Sequence, residues 1–328
     1  MNWYGRSLAS GCLAALAGLA LVSAQAQAQT YPTRSITMIV PFAAGGPTDV
    51  VARIVTAHMA QTLGQAIIIE NVVGAGGTTA TTRAAKATND GYTLITGHMG
   101  THAASVPLYP KLAYHPEKDF EPVGLLAGTP ILILARKDLP PKDLKEFIAY
   151  VKANESKVNA AHAGVGSVSN VSCELLNSVL GVKPIGVPFN GTGPAMNALV
   201  AGQVDYMCDQ IVNAVPQING GTIKAYAVAT PERNPSLPNV PTTAEAGLPK
   251  LNPTSWFAVF APAATPKPVV DKLAAEIGRV MATPEFKKKA ADLGAAADYL
   301  SPAQLGELAQ AELKRWAEVA KGSKIEAD

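Results

Sequence analysis

Short apolar runs alternate with helix-period segments in two successive rounds along this chain, and that double alternation limits the folds open to it. Ile36–Val40 reads as a buried strand, and Val50, Val51, Ile54, Val55, Met59 and Leu63 fall on one face of a helix. Ile67–Ile69, a Gly-rich turn, a short helix through Ala84–Ala87 and a third strand at Thr93–Thr96 follow. After Pro130 the pattern restarts. Ile131–Ala135 is a strand, Leu144, Phe147, Ile148 and Val151 mark a helix, Val158–Ala161 is a strand and Val171–Leu180 a helix. Strands at Ile185–Phe189, Val204–Cys208 and Lys224–Val228 complete a second unit. Strand–helix alternation of this kind implies parallel sheet covered on both faces.

A Pro-rich stretch, Pro231–Pro249, reads as a surface connector, and Trp256–Phe260 as a late strand. Pro268–Met281, Glu285–Leu293 and Pro302–Lys321 then read as amphipathic helices that need a sheet to cover. The second unit has helices of its own, so the chain is expected to return to the first. The expectation is an α/β fold of two lobes joined by two crossover strands, near 122–130 and 252–262. Domain one is assigned to 29–125 plus 257–328 and domain two to 126–256. Two extended crossovers make a hinge, which suits a cleft that closes on a ligand.

The N-terminus has the grammar of a secretory leader: Arg6, an uncharged run over Leu8–Val22, then small residues at alternate positions in Ala24–Ala28. Cleavage is expected near Ala26–Ala28, over residues 1–28, with export to the periplasm. The apolar run is short for a bilayer span, and Cys12 lacks the setting of a lipid anchor. The net charge of +2 lacks the basic excess of a nucleic-acid binder, so no nucleic-acid partner is expected. Cys173 and Cys208 remain after cleavage. They fit either a disulfide of an oxidising compartment or two buried thiols.

Pro41-Phe42-Ala43-Ala44-Gly45-Gly46-Pro47 and Pro188-Phe189-Asn190-Gly191-Thr192-Gly193-Pro194 share the pattern Pro-Phe-x-x-x-Gly-Pro, one in each unit. Each ends a strand and leads into a helical pattern. Proline suits a first helical turn, and glycine lets the backbone approach a ligand. Orphan N–H groups and the positive end of the helix dipole then face the mouth of the sheet, where ligands of open α/β sheets bind. The bland alternative is a pair of ordinary strand-to-helix turns. Neither loop holds Lys or Arg, so a carboxylate here would rely on N–H groups, on Thr48 and Thr192, and on bridging water. Asp49 suits a capping role, with water or a ligand amine as a second possible partner. Direct contact with an anion would cost about 1 kcal/mol at 4 Å in water and more in a closed cleft.

Gly164–Asn170 is a third candidate loop, in which Ser167, Ser169 or Asn170 must cap the next helix. His98 and His102 follow the third strand; a metal role is not assigned, and His98 is a candidate hydrogen-bonding group for a ligand. Gly74–Thr79 begins like a dinucleotide fingerprint but lacks its final glycine, and no Walker loop, His-Glu-x-x-His or Gly-x-Ser-x-Gly is present. No catalytic residue and no cofactor are therefore assigned. A secreted hydrolase using Ser167 or His98 is the alternative from another class.

Several segments resemble one known family. Ser35–Asp49, Asn71–Thr82, Asp90–Leu94, Asp119–Val123, Val187–Asp205, Pro241–Gly247 and Trp256–Pro266 look, in order, like the Bug-type or tripartite tricarboxylate transporter substrate-binding proteins. The resemblance implies a monomeric periplasmic flytrap of type II-like topology. It would deliver a di- or tricarboxylate, or a related acid, to a membrane permease, with sensing as a second use among relatives. It places ligand contacts at Phe42, Ala44, Gly45, Gly46, Thr48 and Asp49, at Asn190, Gly191 and Thr192, and at Asp209. To these the loop reading adds His98, Gly166, Ser167 and Asn170. Many relatives carry His within the stretch occupied here by Val168–Asn170. Thr48 and Asp49 follow the first proline where Ala195 and Met196 follow the second. The first loop is thus expected to hold a common carboxylate, and the second to complete the closed pocket. Selectivity is expected around His98 and Ser167–Asn170.

Overall fold

The computed structural model describes residues 31–323 apart from 250 and 252. The leader assigned to residues 1–28 lies outside the described residues. In chain order the strands are β1 (Ile36–Val40), β2 (Ile67–Asn71), β3 (Thr93–His98), β4 (Phe120–Arg136), β5 (Asn159–His162), β6 (Ile185–Pro188), β7 (Tyr206–Gln210), β8 (Ile223–Val228) and β9 (Thr254–Pro262). The helices are α1 (Pro47–Leu63), α2 (Thr78–Ala85), α3 (Ser105–Leu108), α4 (Leu144–Ala153), α5 (Val168–Leu180), α6 (Thr192–Val200), α7 (Ile211–Asn219), α8 (Lys267–Ala282), α9 (Pro284–Asp292) and α10 (Pro302–Ser323).

The strands run in the order β2-β1-β3-β9-β4-β7-β5-β6, with β8 on the other side of β4. In the first lobe β1 lies parallel to β2 and β3, and β9 runs antiparallel to β3 and to the first part of β4. In the second lobe the last part of β4 pairs with β7 and β8, and β5 lies parallel to β6 and β7. This is a two-lobed α/β fold with crossover strands. The lobes meet closely enough that residues from Arg34 onward form one compact unit.

The sequence pattern reads a crossover near Pro122–Pro130 and a new strand from Ile131; β4 carries both, running through the two prolines as one strand of 17 residues. In the first lobe β4 pairs with β9 alone, so its other edge is free of ladder partners, and a register shift falls between Pro122 and Gly124. An edge position beside a bulge is where a strand tolerates a missing N–H. That open edge is partly covered by 296–300: the Gly128 N–H donates to the Ala296 carbonyl at 3.1 Å and the Leu125 N–H to the Leu300 carbonyl at 3.3 Å. Farther along, Ile131 and Ile133 enter one hydrophobic cluster while Leu132 and Leu134 enter another. A strand buried on both faces reads as a continuous apolar run, which is why this half was visible in the sequence.

The strand read at Val204–Cys208 is observed two residues later, at Tyr206–Gln210. The turn through Gly202 extends to Asp205, whose carboxylate accepts from Arg136 Nε at 3.0 Å and from the Asn159 N–H at 2.8 Å. The stretch 231–249 carries no helix or strand, but Leu237 and Val240 anchor it in the core of the second lobe. Cys173 and Cys208 are buried free thiols.

Of the closing helices, α8 packs on β4 and α1, and α10 on β4 and the turn at Gly100–Ala104. Trp316 of α10 is among the largest fully buried side chains. Large-to-small changes at such sites remove apolar contact and leave a void. Trp316→Ala is expected to lower unfolding free energy by about 3–5 kcal/mol, read by urea denaturation.

Candidate functional site

Strand ends, helix starts and tight turns gather at the junction of the two lobes around a cavity of about 20 Å³. Its wall is Phe42, Gly46, Pro47 and Thr48 from the β1–α1 loop, and His98 at the end of β3. The second lobe supplies Ala163, Ser167, Val168 and Ser169 from the β5–α5 loop, Thr192 at the start of α6, and Gln210 at the end of β7. No Lys, Arg, Asp or Glu lines it. Pro47 and Thr48 open α1, Val168 opens α5, Thr192 opens α6, and Gln210 immediately precedes α7. Four helix N-termini therefore converge on one small space. Those of α1, α6 and α7 have no side-chain cap; Ser167 caps α5 by accepting from the Asn170 N–H at 3.3 Å. Each N-terminus carries roughly half a positive charge and unpaired N–H groups.

His98 adds a directed donor. It is buried, stacked on Phe42 with ring centroids 5.1 Å apart, and edge-on to Phe257. Its Nδ1 accepts from the Gly100 N–H at 2.9 Å and the Thr101 N–H at 3.3 Å. A ring nitrogen that accepts is unprotonated, so the neutral ring carries its hydrogen on Nε2. Burial pushes the His98 pKa down to about 3, and the ring stays neutral across physiological pH. His102 lies behind it, stacked on Phe260 at 3.9 Å. Burial, with the neighbouring His98, lowers its pKa to about 3 as well.

The acidic residues nearest the cavity are occupied in holding its wall. The Asp49 Oδ2 accepts from the Gly45 N–H at 3.0 Å and from Arg53 Nε at 2.8 Å, and its Oδ1 from Asn71 Nδ2 at 3.0 Å. Burial works against its charge. Arg53, the Gly45 N–H and Asn71 outweigh that cost and hold the carboxyl below its usual range. Gly45 has φ +84, the left-handed turn that lets its N–H point at Asp49. Asp209, fully buried, accepts from the Gln210 N–H at 2.8 Å and from Asn213 Nδ2 at 2.5 Å. Burial pushes its pKa up to about 7, against the hydrogen bonds from Asn213, Gln210 and Thr192. Asp209 thus ties the first turns of α6 and α7 together behind the cavity.

Of the residues singled out from sequence, Phe42, Gly46, Thr48, His98, Ser167 and Thr192 line the cavity. Ala44, Gly45, Asp49, Gly166, Asn170, Asn190, Gly191 and Asp209 do not. Most of these hold the loops in shape: the Asn170 Oδ1 accepts from the Gly166 N–H at 3.0 Å, and the Asn190 carbonyl accepts from the Ala43 N–H at 3.0 Å across the lobes. The two Pro-Phe loops touch. A Cβ on Gly46 would sit 3.3 Å from Thr192 Oγ1, and one on Gly193 3.0 Å from the Ala44 carbonyl. Pro47, Ala163, Val168, Ser169 and Gln210 complete the wall without having been singled out as contacts. Ser169 sits in the Gly-Ser loop already suspected, whereas Gln210 gives no local signal beyond ending a strand.

The fold and this inter-lobe cavity define a solute-binding protein. Residues 51–325 match the tripartite tricarboxylate transporter family receptor family, TctC, and the chain belongs to it. MatC from Rhodopseudomonas palustris, solved with bound malate, is 55% identical with a TM-score of 0.85, over 88% of this chain and 99% of that one. An R. palustris protein solved with adipate is 34% identical with a TM-score of 0.87, over 90% and 99%. Protein BugT of Bordetella pertussis is 32% identical over 96% of this chain and 97% of its own.

The raised Asp209 pKa has a consequence for stability. The folded state binds this proton more tightly than the unfolded chain, so the contribution is full below pH about 4 and is lost as pH rises through about 7. Melting temperature should therefore fall more for the wild type than for Asp209→Asn between about pH 5 and about pH 8. Parallel pH profiles in differential scanning calorimetry would contradict this.

Proposed function

We propose that this protein captures a small dicarboxylate reversibly between its lobes, for delivery to a membrane permease. The observation that carries the reading is the convergence of four helix N-termini, with His98 in the wall, on one cavity without charged side chains. Such a wall suits an anion, since N–H groups and dipoles aimed at one point stabilise negative charge. A cation would meet only positive helix ends.

Hydroxyls and helix starts on opposite walls suit a short chain with a carboxylate at each end. One carboxylate would sit on Thr48 and the α1 N-terminus, and the other near Ser167, Ser169 and Thr192, with Phe42 and His98 packed along the carbon chain. The malate and adipate with which the two relatives were solved support this class. The hinge is proposed where β4 and β9 leave the first lobe, with lobes 29–125 plus 257–328 and 126–256. Export to the periplasm, with cleavage near Ala26–Ala28, and action as a monomer belong to the same proposal.

A hydrolase using Ser167 and His98 is disfavoured by proton placement. The His98 Nδ1 is engaged by two backbone N–H groups, so Nε2 carries the ring hydrogen and neither nitrogen is open to accept a serine proton. Ser167 Oγ itself caps α5.

The test is a thermal-shift and calorimetry screen of refolded, ligand-stripped protein against succinate, malate, adipate, citrate and aromatic acids. Short dicarboxylates should give the largest shifts; no response to any of these acids would rule the reading out. His98→Phe keeps the ring stack but removes the donor, and should weaken binding by about 1–2 kcal/mol, roughly 5- to 30-fold. Gly46→Val places a branched side chain where Thr192 and Gly193 approach. It should reduce affinity at least about 100-fold, with little change in the melting temperature of the unliganded protein.

A further inference from the structure

We infer that Tyr109, closing on the β5–α5 loop beside the Gly74–Gly77 turn, is the clasp that sets how long a bound solute stays; this rests on the solute-binding reading above. Tyr109 follows α3 in the first lobe, and its hydroxyl donates to the Val165 carbonyl of the second lobe at 2.7 Å. The Ala75 carbonyl lies 3.2 Å from the same oxygen and holds the hydroxyl in place from its own side. Around this bond the two backbones come into direct contact. A Cβ on Gly76 would lie 1.8 Å from the Val165 carbonyl oxygen, and one on Gly164 2.9 Å from the Gly76 nitrogen. A Cβ on Gly166 would lie 2.9 Å from Tyr109 Cε2.

The turn is built for this approach. Gly74, Gly76 and Gly77 all have positive φ, and Ala75, at φ +46, is one of two non-glycine residues so placed among those described. A non-glycine residue in the left-handed region persists only where surrounding contacts hold it there. Sequence alone reads this turn as a failed dinucleotide fingerprint; its glycines instead serve close packing of one lobe on the other.

The clasp also stands on the way out. A second, larger cavity of about 420 Å³ is lined by Gly74, Ala75, Gly76, Tyr109, Val165 and Asn190, and it shares Ala163 with the inner cavity. The Tyr109–Val165 bond crosses between the lobes, so it forms on closure and breaks on opening. Such a bond acts on release and leaves capture untouched, because affinity changes at one interface fall mostly on the off-rate.

The experiment measures malate, succinate and adipate association and release by stopped-flow fluorescence, and compaction by small-angle scattering. Wild type, Tyr109→Phe and Gly76→Ala are compared. Tyr109→Phe, which removes one neutral hydrogen bond, should speed release roughly three- to tenfold at an unchanged association rate and an unchanged unliganded melting temperature. Gly76→Ala should still associate but fail to compact, with release at least about 100-fold faster. Wild-type binding with unaltered release in Tyr109→Phe overturns the clasp and leaves the solute reading standing. A wild type that binds none of the three acids overturns the solute reading and the clasp with it.

Discussion

A carboxylate leaving water gives up strong hydration, and in the proposed function the inner cavity would meet that loss with neutral donors alone. Each helix start supplies roughly half a positive charge that falls off within a turn. Only a site where several starts share one focus could hold an anion without Lys or Arg. Here α1, α5, α6 and α7 share that focus. The remaining features follow from this geometry. The lobes must face each other across a small gap, the helices must begin at strand ends, and the loops between must be small enough for backbone to line the wall.

The charged and amide side chains close to the site serve that geometry indirectly. Asp49 fixes the Gly45 turn and is itself fixed by Arg53 and Asn71. Asn71 also donates to the Phe42 carbonyl at 2.9 Å, so a residue at the end of β2 sets the position of the stacking ring. In the second lobe Asp209 and Asn213 bind the first turns of α6 and α7 to each other, and Asn213 reaches the Thr192 carbonyl as well. Each lobe thus has one buried carboxylate behind its loop. The two differ in charge state: Asp49 is kept ionised by a guanidinium, while Asp209 has only neutral donors and holds its proton up to about pH 7.

Much of this architecture was legible in the sequence because burial on both faces leaves continuous apolar runs, as in Ile36–Val40 and Ile131–Ala135. The paired Pro-Phe loops were legible because proline and glycine report backbone demands locally. Two kinds of feature were not. The crossover near 122–130 and the strand from Ile131 read as separate pieces because sequence does not reveal which edge of a strand is unpaired, and β4 runs through both prolines. Tyr109 and Gln210 were passed over because their partners, Val165 and Ser255 among them, lie far away along the chain. Gly74–Thr79 was rejected as a dinucleotide fingerprint but given no other role, because a glycine that clears a ligand and one that clears another lobe look alike. His98 was singled out, but its proton placement depends on the amides of Gly100 and Thr101, which only the fold supplies.

The uninterrupted course of β4 bears on how the lobes can move. One strand contributes ladder hydrogen bonds to β9 on one side of Pro130 and to β7 and β8 on the other, so neither lobe can swing on a floppy tether. Extended backbone laddered on both sides resists bending within the sheet but yields to twist. Opening would then be a rotation about the strand, with few competing directions. A molecule with one easy coordinate spends little entropy on finding its closed form again, and its two anion-facing walls return to register each time.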